Sequence, residues 1–318
     1  MKRPLVFLLA LGFGIGGATV LAQSNVTRII VPFGAGGVQD ILARSISAEL
    51  GTALGRNVIV ENRTGAGGTI GTASVAKAAP DGHTLILSAA SHTINGSLYA
   101  KLPYDPIRDF TGVAHIGTVE YVLMITAALP AKTVREFVDY AKANAGKLNY
   151  TTAGSGTATH LSMAYFASLA GIDMVHVPYK ATNEAVNEVV AGRSHAVIAA
   201  NIGALGFVKD PRVRMLGVTS AKRSKFLPEL PTIAESGVPG YEFDSWLGLL
   251  GPAGIPVPTL ERINGAVGTL LKDPVILDRL AKQGIEPQAL RPEAFNALLR
   301  ADLVKMAKVV KASGARVD

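Results

Sequence analysis

The chain contains no cysteine among its 318 residues. That absence excludes thiol catalysis, thiolate metal ligands, disulfide staples and a lipid-modified N-terminal cysteine. Stability must then come from a buried apolar core, and the length suits one large or two medium domains. Charge is sparse too, at 17% of residues. The net +7 is dispersed apart from Lys222-Arg223-Ser224-Lys225 and a C-terminal stretch with Lys305, Lys308 and Lys311. Such clusters are solvated faces, so no nucleic-acid partner is expected, although a mild positive field favours collecting small anions.

Several motifs are also missing. The six histidines are scattered, with no H-E-x-x-H and no helical pair spacing, so no metal site is expected. There is no G-x-x-x-x-G-K-[ST] loop and no G-x-S-x-G elbow. Gly34-Ala35-Gly36 and Gly65-Ala66-Gly67 begin like dinucleotide loops, but Gln39 and Ile70 stand where the third glycine belongs. No cofactor is therefore expected. No internal repeat or low-complexity segment occurs, and no stretch beyond Ala22 is long and apolar enough to span a membrane.

The first residues read as a cleavable export signal. Lys2 and Arg3 form the basic start, Leu5 to Ile15 the apolar core, and Val20-Leu21-Ala22 a small-residue end that predicts cleavage before Gln23. The mature chain is expected to be exported and free in its compartment.

From Thr27 to about Thr219, short apolar runs alternate with helical patterns, which predicts an α/β class with largely parallel sheets. Expected strands are 28–31, 58–62, 84–88, 148–151, 174–178, 195–199 and 214–219. Leu42, Ile46 and Leu50 give a helical stripe stopped by Gly51. Thr133 and Glu136 make a capping box for a helix that Gly146 ends, and Gly171 and Gly192 close two more. After Leu227, prolines break the chain into turns around an apolar run from Ser245 to Leu250. Three helices then follow, over 259–271, 274–283 and 292–311.

In open α/β sheets, ligands bind beyond the carboxyl ends of the strands. Those ends are rich in small and hydroxyl residues: Gly34 to Asp40, Ser88 to Thr93, Thr151 to Thr157, Pro178 to Asn183 and Ala199 to Asn201. They offer N–H and O–H donors with little bulk, which suits a carboxylate. Asp40 either stabilises its helix start or orients the loop and ligand. Lys180 either pairs with an acid or is solvated, and Trp246 either walls a pocket or fills a core. A Ser155–His160–Asp40 triad can be drawn from three loops, leaving an exported hydrolase as the enzyme alternative.

Six runs together resemble the solute receptors of tripartite tricarboxylate transporters, the Bug family. They are Val31–Asp40, Val60–Gly68, Ala79-Pro80-Asp81-Gly82, Leu102–Pro106, Val177-Pro178-Tyr179-Lys180 and Leu230–Gly237, with the likeness continuing through Val238–Tyr241 to the C-terminus. The resemblance implies a two-lobe, Venus-flytrap periplasmic binding protein (type II-like), each lobe a mainly parallel sheet flanked by helices. It implies residues 1–22 as signal peptide, 23–122 with 228–318 as lobe 1, and 123–227 as lobe 2. A small di-, tricarboxylate or aromatic acid would be caught by hinge closure and delivered by a monomeric, non-enzymatic receptor to membrane permease subunits. A ligand sensor for a membrane signalling protein is the other alternative.

The residues carried over as ligand-binding are Phe33, Ala35, Gly36, Gly37, Gln39, Asp40, Ser88, Ser91 and His92 from lobe 1. From lobe 2 they are Gly154, Ser155, Gly156, Thr157, His160, Tyr179, Lys180, Ala181 and Asn201. Two departures from the family pattern stand out. Ala181 replaces a common glycine, and Ala199-Ala200 lacks an aspartate that would pair with an amino group. An acid without an amino group is expected.

Overall fold

The first part of the chain forms β1 (Val26–Val31), α1 (Val38–Leu54), β2 (Asn57–Asn62), α2 (Thr69–Ala76), β3 (Thr84–Ala89), α3 (Ser91–Leu98) and β4 (Phe110–Thr126); β1, β2 and β3 fall where the alternation predicts strands, and β4 is a strand it did not predict. This computed structural model describes residues 25–315, so the expected signal segment and its cleavage point lie outside the described residues. β1 lies between β2 and β3, parallel to both. α1 buries Leu42, Ile46, Leu50 and Leu54 against this sheet. It runs past Gly51, however, and ends at Gly55, whose left-handed φ of 59° lets its N–H reach the carbonyls of Gly51 and Thr52. Gly51 serves packing instead: a Cβ there would lie 2.8 Å from the Arg56 carbonyl oxygen.

The middle of the chain repeats the plan with α4 (Val134–Ala143), β5 (Asn149–Thr152), α5 (Ala158–Ala170), β6 (Val175–Pro178), α6 (Thr182–Val190), β7 (Ala196–Ala200), α7 (Asn201–Ala204) and β8 (Val213–Val218). β5 pairs in parallel with β6 and β7. The capping box forms: Thr133 Oγ1 accepts the Glu136 N–H at 3.2 Å, and the Glu136 carboxylate accepts the Lys132 N–H at 2.7 Å. That helix ends at Asn144 rather than Gly146. Gly171 closes α5 in the left-handed region. Residues Pro231–Ile233 lie beside the end of β8, with Val218 N–H donating to Pro231 O and Ile233 N–H to Val218 O, each at 2.9 Å.

The return comprises β9 (Asp244–Pro252), α8 (Val257–Leu270), α9 (Pro274–Lys282), β10 (Ile285–Leu290) and α10 (Pro292–Ser313). Here the sheets become mixed. β9 is antiparallel to both β3 and β4, and β10 is antiparallel to β4. β4 belongs to both sheets: Phe110–Glu120 pair with β9, whereas Tyr121–Thr126 pair antiparallel with β7 and β8. The parallel cores expected from the alternation are therefore the triplets β2-β1-β3 and β6-β5-β7, and antiparallel crossing strands complete each sheet.

The crossings are tied to each other. Tyr121 N–H donates to Thr219 Oγ1 at 3.0 Å, Thr219 N–H to Tyr121 O at 2.9 Å, and Phe243 N–H to Thr219 O at 2.9 Å. α10 packs on β4 and α3 of one lobe and on α5 of the other. Both lobes form α/β layers around buried sheets, and a cleft opens where the strand ends of the two sheets face each other.

Candidate functional site

The carboxyl ends of β1, β3, β5, β6 and β7 meet around one cavity between the lobes. Counting its mouth, it encloses about 480 Å³ of atom-free space. One wall is Phe33, Gly37, Val38 and Gln39 from the β1–α1 turn, Ala89 and Ser91 after β3, and Val119 and Leu247 from β4 and β9. The other is Ala153, Thr157, Ala158 and Thr159 around the start of α5, Ala181 and Thr182 at the start of α6, Ala200 at the end of β7, and Tyr121. Among the described residues, no aspartate, glutamate, lysine, arginine or histidine lines it.

Helix ends supply the electrostatics. α1, α3, α5 and α6 all begin at this cavity. The N-cap residues of α1, α3 and α6 are Gly37, Ala90 and Ala181, and none of them uses a side chain to cap its helix. Their first-turn N–H groups and the positive ends of their dipoles suit an anion. Hydroxyls of Ser91, Thr157, Thr159 and Thr182 and the Gln39 amide add neutral hydrogen-bonding groups, while Phe33, Val38, Val119 and Leu247 offer apolar surface. The arrangement fits a small carboxylate with a short carbon body.

Asp40 holds the first turn from beneath. Its carboxylate accepts the Gly36 N–H, Arg44 Nε and Asn62 Nδ2, each at 2.9 Å. Burial works to raise its pKa, but these hydrogen bonds outweigh it and keep the carboxyl below its ordinary value. Asn62 also donates to Phe33 O at 3.0 Å, so the turn is fixed from two directions.

The two jaws are in contact. A Cβ at Gly67 would lie 2.7 Å from Ser155 O across the cleft, one at Gly156 3.0 Å from Asn95 Oδ1, and one at Gly34 3.4 Å from Lys180 O. Gly67 and Gly156, both at positive φ (61° and 81°), leave no room for a Cβ, whereas at Gly34 one would make an ordinary contact. Outside this seam, Pro32, Phe33, residues 64–68, Gly154, Tyr179 and Lys180 surround a vestibule.

The structure brings Phe33, Gly37, Gln39, Ser91, Thr157 and Ala181 to the cavity itself, and Gly154, Tyr179 and Lys180 to the vestibule. Ala35 and Gly36 sit exposed on the outside of the turn, and Ser88 is buried within β3. Ser155 and Gly156 form the seam. His92 turns away because α3 begins at Ser91 and the next residue faces the interior. Its Nε2 lies 2.7 Å from Pro106 O, and its ring packs against Phe110 and Tyr104 with centroids 4.7 and 6.1 Å away. Burial pushes its pKa down to about 4. His160 is likewise buried, with its pKa down to about 4 by burial. Asn201 directs its amide to Glu120 Oε2 at 3.3 Å, at the crossing, and Ala200 takes the wall position.

Trp246 is core: its indole N–H donates to Asp302 at 2.8 Å. The drawn triad does not assemble among the described residues, since Asp40 is engaged by Gly36, Arg44 and Asn62, and His160 Nδ1 by the Gly156 N–H. Val119, Tyr121 and Leu247 were not foreseen because their strands carry no alternation. Thr159 was foreseeable from its place two residues after the Thr157 cap.

Comparison with known proteins agrees with this geometry. The model of the tripartite tricarboxylate transporter family receptor matches residues 42–315. A protein of Pseudomonas sp. (strain P51), named for the tcbD-tcbE intergenic region, is 36% identical over 282 residues, covering 88% of this chain and 84% of its own. The periplasmic binding protein BugD superposes with a TM-score of 0.86 at 32% identity, covering 92% of this chain and 98% of its own. An R. palustris protein solved with adipate gives 0.87 at 34% identity with the same coverage. MatC from Rhodopseudomonas palustris, with bound malate, gives 0.83 at 31%, covering 90% and 98%. Two α/β lobes closing on an uncharged cleft, together with a family match over most of its length, make this chain a member of the tripartite tricarboxylate transporter receptor family, the Bug-type solute-binding proteins.

Proposed function

We propose that the protein captures a small carboxylate without an amino group in the periplasm, by hinge closure, and presents it to the membrane permease subunits of a tripartite transporter. The observation that carries this reading is a cavity with no charged side chain onto which four helix N-termini converge. A carboxylate is stabilised there by N–H groups and dipoles, whereas a ligand ammonium finds no carboxylate partner. Adipate and malate in the related structures support an aliphatic diacid of short length. Lobe 1 is taken as residues 23–122 with 228–318 and lobe 2 as 123–227, a division supported by the change of β4's partners from β9 to β7 and β8 between Glu120 and Tyr121. Export follows the signal reading, with cleavage before Gln23, and the receptor acts as a non-enzymatic monomer.

Calorimetric titration with adipate, malate, citrate, benzoate and aspartate tests the reading. Binding of at least one acid lacking an amino group, tighter than aspartate, is expected, together with a smaller radius of gyration on saturation. Aspartate as the tightest ligand, or turnover of an ester substrate in place of binding, overturns it.

A further inference from the structure

His160 and His176 stack face to face behind the lobe 2 jaw, with ring centroids 4.2 Å apart and planes 17° from parallel. Tyr150 extends the stack on the far side of His176, at 5.1 Å. Neither ring lines the cavity, yet both reach the turn that does. His160 Nδ1 accepts the Gly156 N–H at 3.3 Å. His176 Nε2 lies 2.7 Å from Thr152 Oγ1, and that oxygen accepts the Gly154 N–H at 3.1 Å. Two backbone donors of the Gly154–Thr157 turn are thus held from behind, one directly and one through a hydroxyl. The same turn presents Gly156 to Asn95 and Leu98 of lobe 1, and Ser155 O to Gly67.

An accepting Nδ1 places the His160 ring proton on Nε2 and requires a neutral ring. Every packed element agrees with that. His160 sits in the first turn of α5, where the helix dipole opposes a cation. β6 contributes His176 and β5 contributes Tyr150, a phenol pushed up to about 12 by burial. No carboxylate or basic side chain is bonded to either imidazole among the described residues. A proton on either ring would face its stacked neighbour, and at His160 Nδ1 it would meet the Gly156 N–H head on.

We infer that the His160–His176 stack positions the Gly154–Thr157 turn for closure, with the neutral Nδ1 of His160 as the acceptor that fixes Gly156. These are positioning residues; neither touches the ligand. The binding arm of the test rests on the carboxylate reading above, so a second arm reads the turn without any ligand. Titrations with adipate and malate compare the wild type with His160→Asn, which keeps an acceptor near the Nδ1 position, and His160→Phe, which keeps the stack and loses the acceptor. Nitrogen-15 spectra of the same proteins follow the Gly156 amide and the His160 ring from neutral to acid pH.

The expected result is near-native affinity for His160→Asn and about tenfold weaker binding for His160→Phe, as one lost hydrogen bond to a buried donor predicts. The wild-type spectrum should show a ring protonated at Nε2 and a Gly156 amide that shifts only when the ring takes up a proton. Equal losses in both variants, or none in His160→Phe, overturn the inference, as does a ring protonated at Nδ1 at neutral pH. If the wild type binds neither acid, the variants are compared with citrate or benzoate instead; if it binds none of the four, the carboxylate reading fails, and the stack stands or falls on the Gly156 amide alone.

Discussion

Gly67→Ala isolates the energy of closure. Gly67 lies in the left-handed region at φ 61°, and its missing Cβ would stand 2.7 Å from Ser155 O of the other lobe and 2.8 Å from the Tyr99 hydroxyl of its own. The left-handed backbone costs an alanine about 1–2 kcal/mol, and that cost falls equally on open and closed forms. Contact with Ser155 O exists only when the lobes meet. Backing a carbonyl away by about half an ångström is an overpacking strain of about 1–3 kcal/mol, borne by the closed form alone. Ligand affinity should therefore fall by roughly 5- to 150-fold.

Gly55→Ala is the matched control, since Gly55 has φ 59° and nothing within 4 Å of its Cβ position. Both variants should lose similar unfolding stability in urea, while only Gly67→Ala weakens binding in calorimetry and holds a larger radius of gyration at equal ligand. Gly67→Ala binding within twofold of the wild type would refute a closed state in which these backbones touch.

Three further outcomes follow from the same geometry. His92, His160 and His176 are pushed down to about 4 by burial from an ordinary 6.5, so the unfolded chain binds more protons between those values. Stability is then full above about pH 6.5 and lost as the pH falls towards 4. His92 alone accounts for about 2 kcal/mol between about pH 7 and 4.5, and urea midpoints should show a slope that His92→Phe flattens. Asp40→Ala leaves the Gly36 N–H, Arg44 and Asn62 without their acceptor; a loss of about 2–3 kcal/mol in urea unfolding is expected, with weaker binding as the turn loosens. Lys180→Ala removes an exposed cation from the vestibule rather than the cavity; stopped-flow measurements should show association slowed a few-fold at low salt and dissociation unchanged.

The parts of this fold most legible in the sequence are those where one face is buried and the ends are chemically marked. α1 shows its stripe, Thr133 its capping box and Gly171 its left-handed stop, so these elements fall within a few residues of expectation. β4 was illegible for the opposite reason. Its residues are buried almost throughout, and its register shifts near Gly112 and His115. β10 was hidden by Pro287, an edge-strand residue tolerated where the register slips. In the cleft, the small-residue turns at strand ends were readable, but the direction of His92, His160 and Asn201 was not. Each lies one or a few residues into a helix, and which way such a residue points depends on where that helix begins.

On the proposed reading, an anion that departs from this cleft leaves no charged lining side chain behind. A pocket built on a paired arginine is left with a stranded cation when its guest goes, and filling that vacancy takes a proton or a counter-ion. Here the attraction comes from partial charges fixed to the backbone at the starts of α1, α3, α5 and α6, which a few waters can satisfy. On the proposed reading, release of the acid therefore demands no counter-ion at the cavity wall, because none of its lining side chains carries a charge.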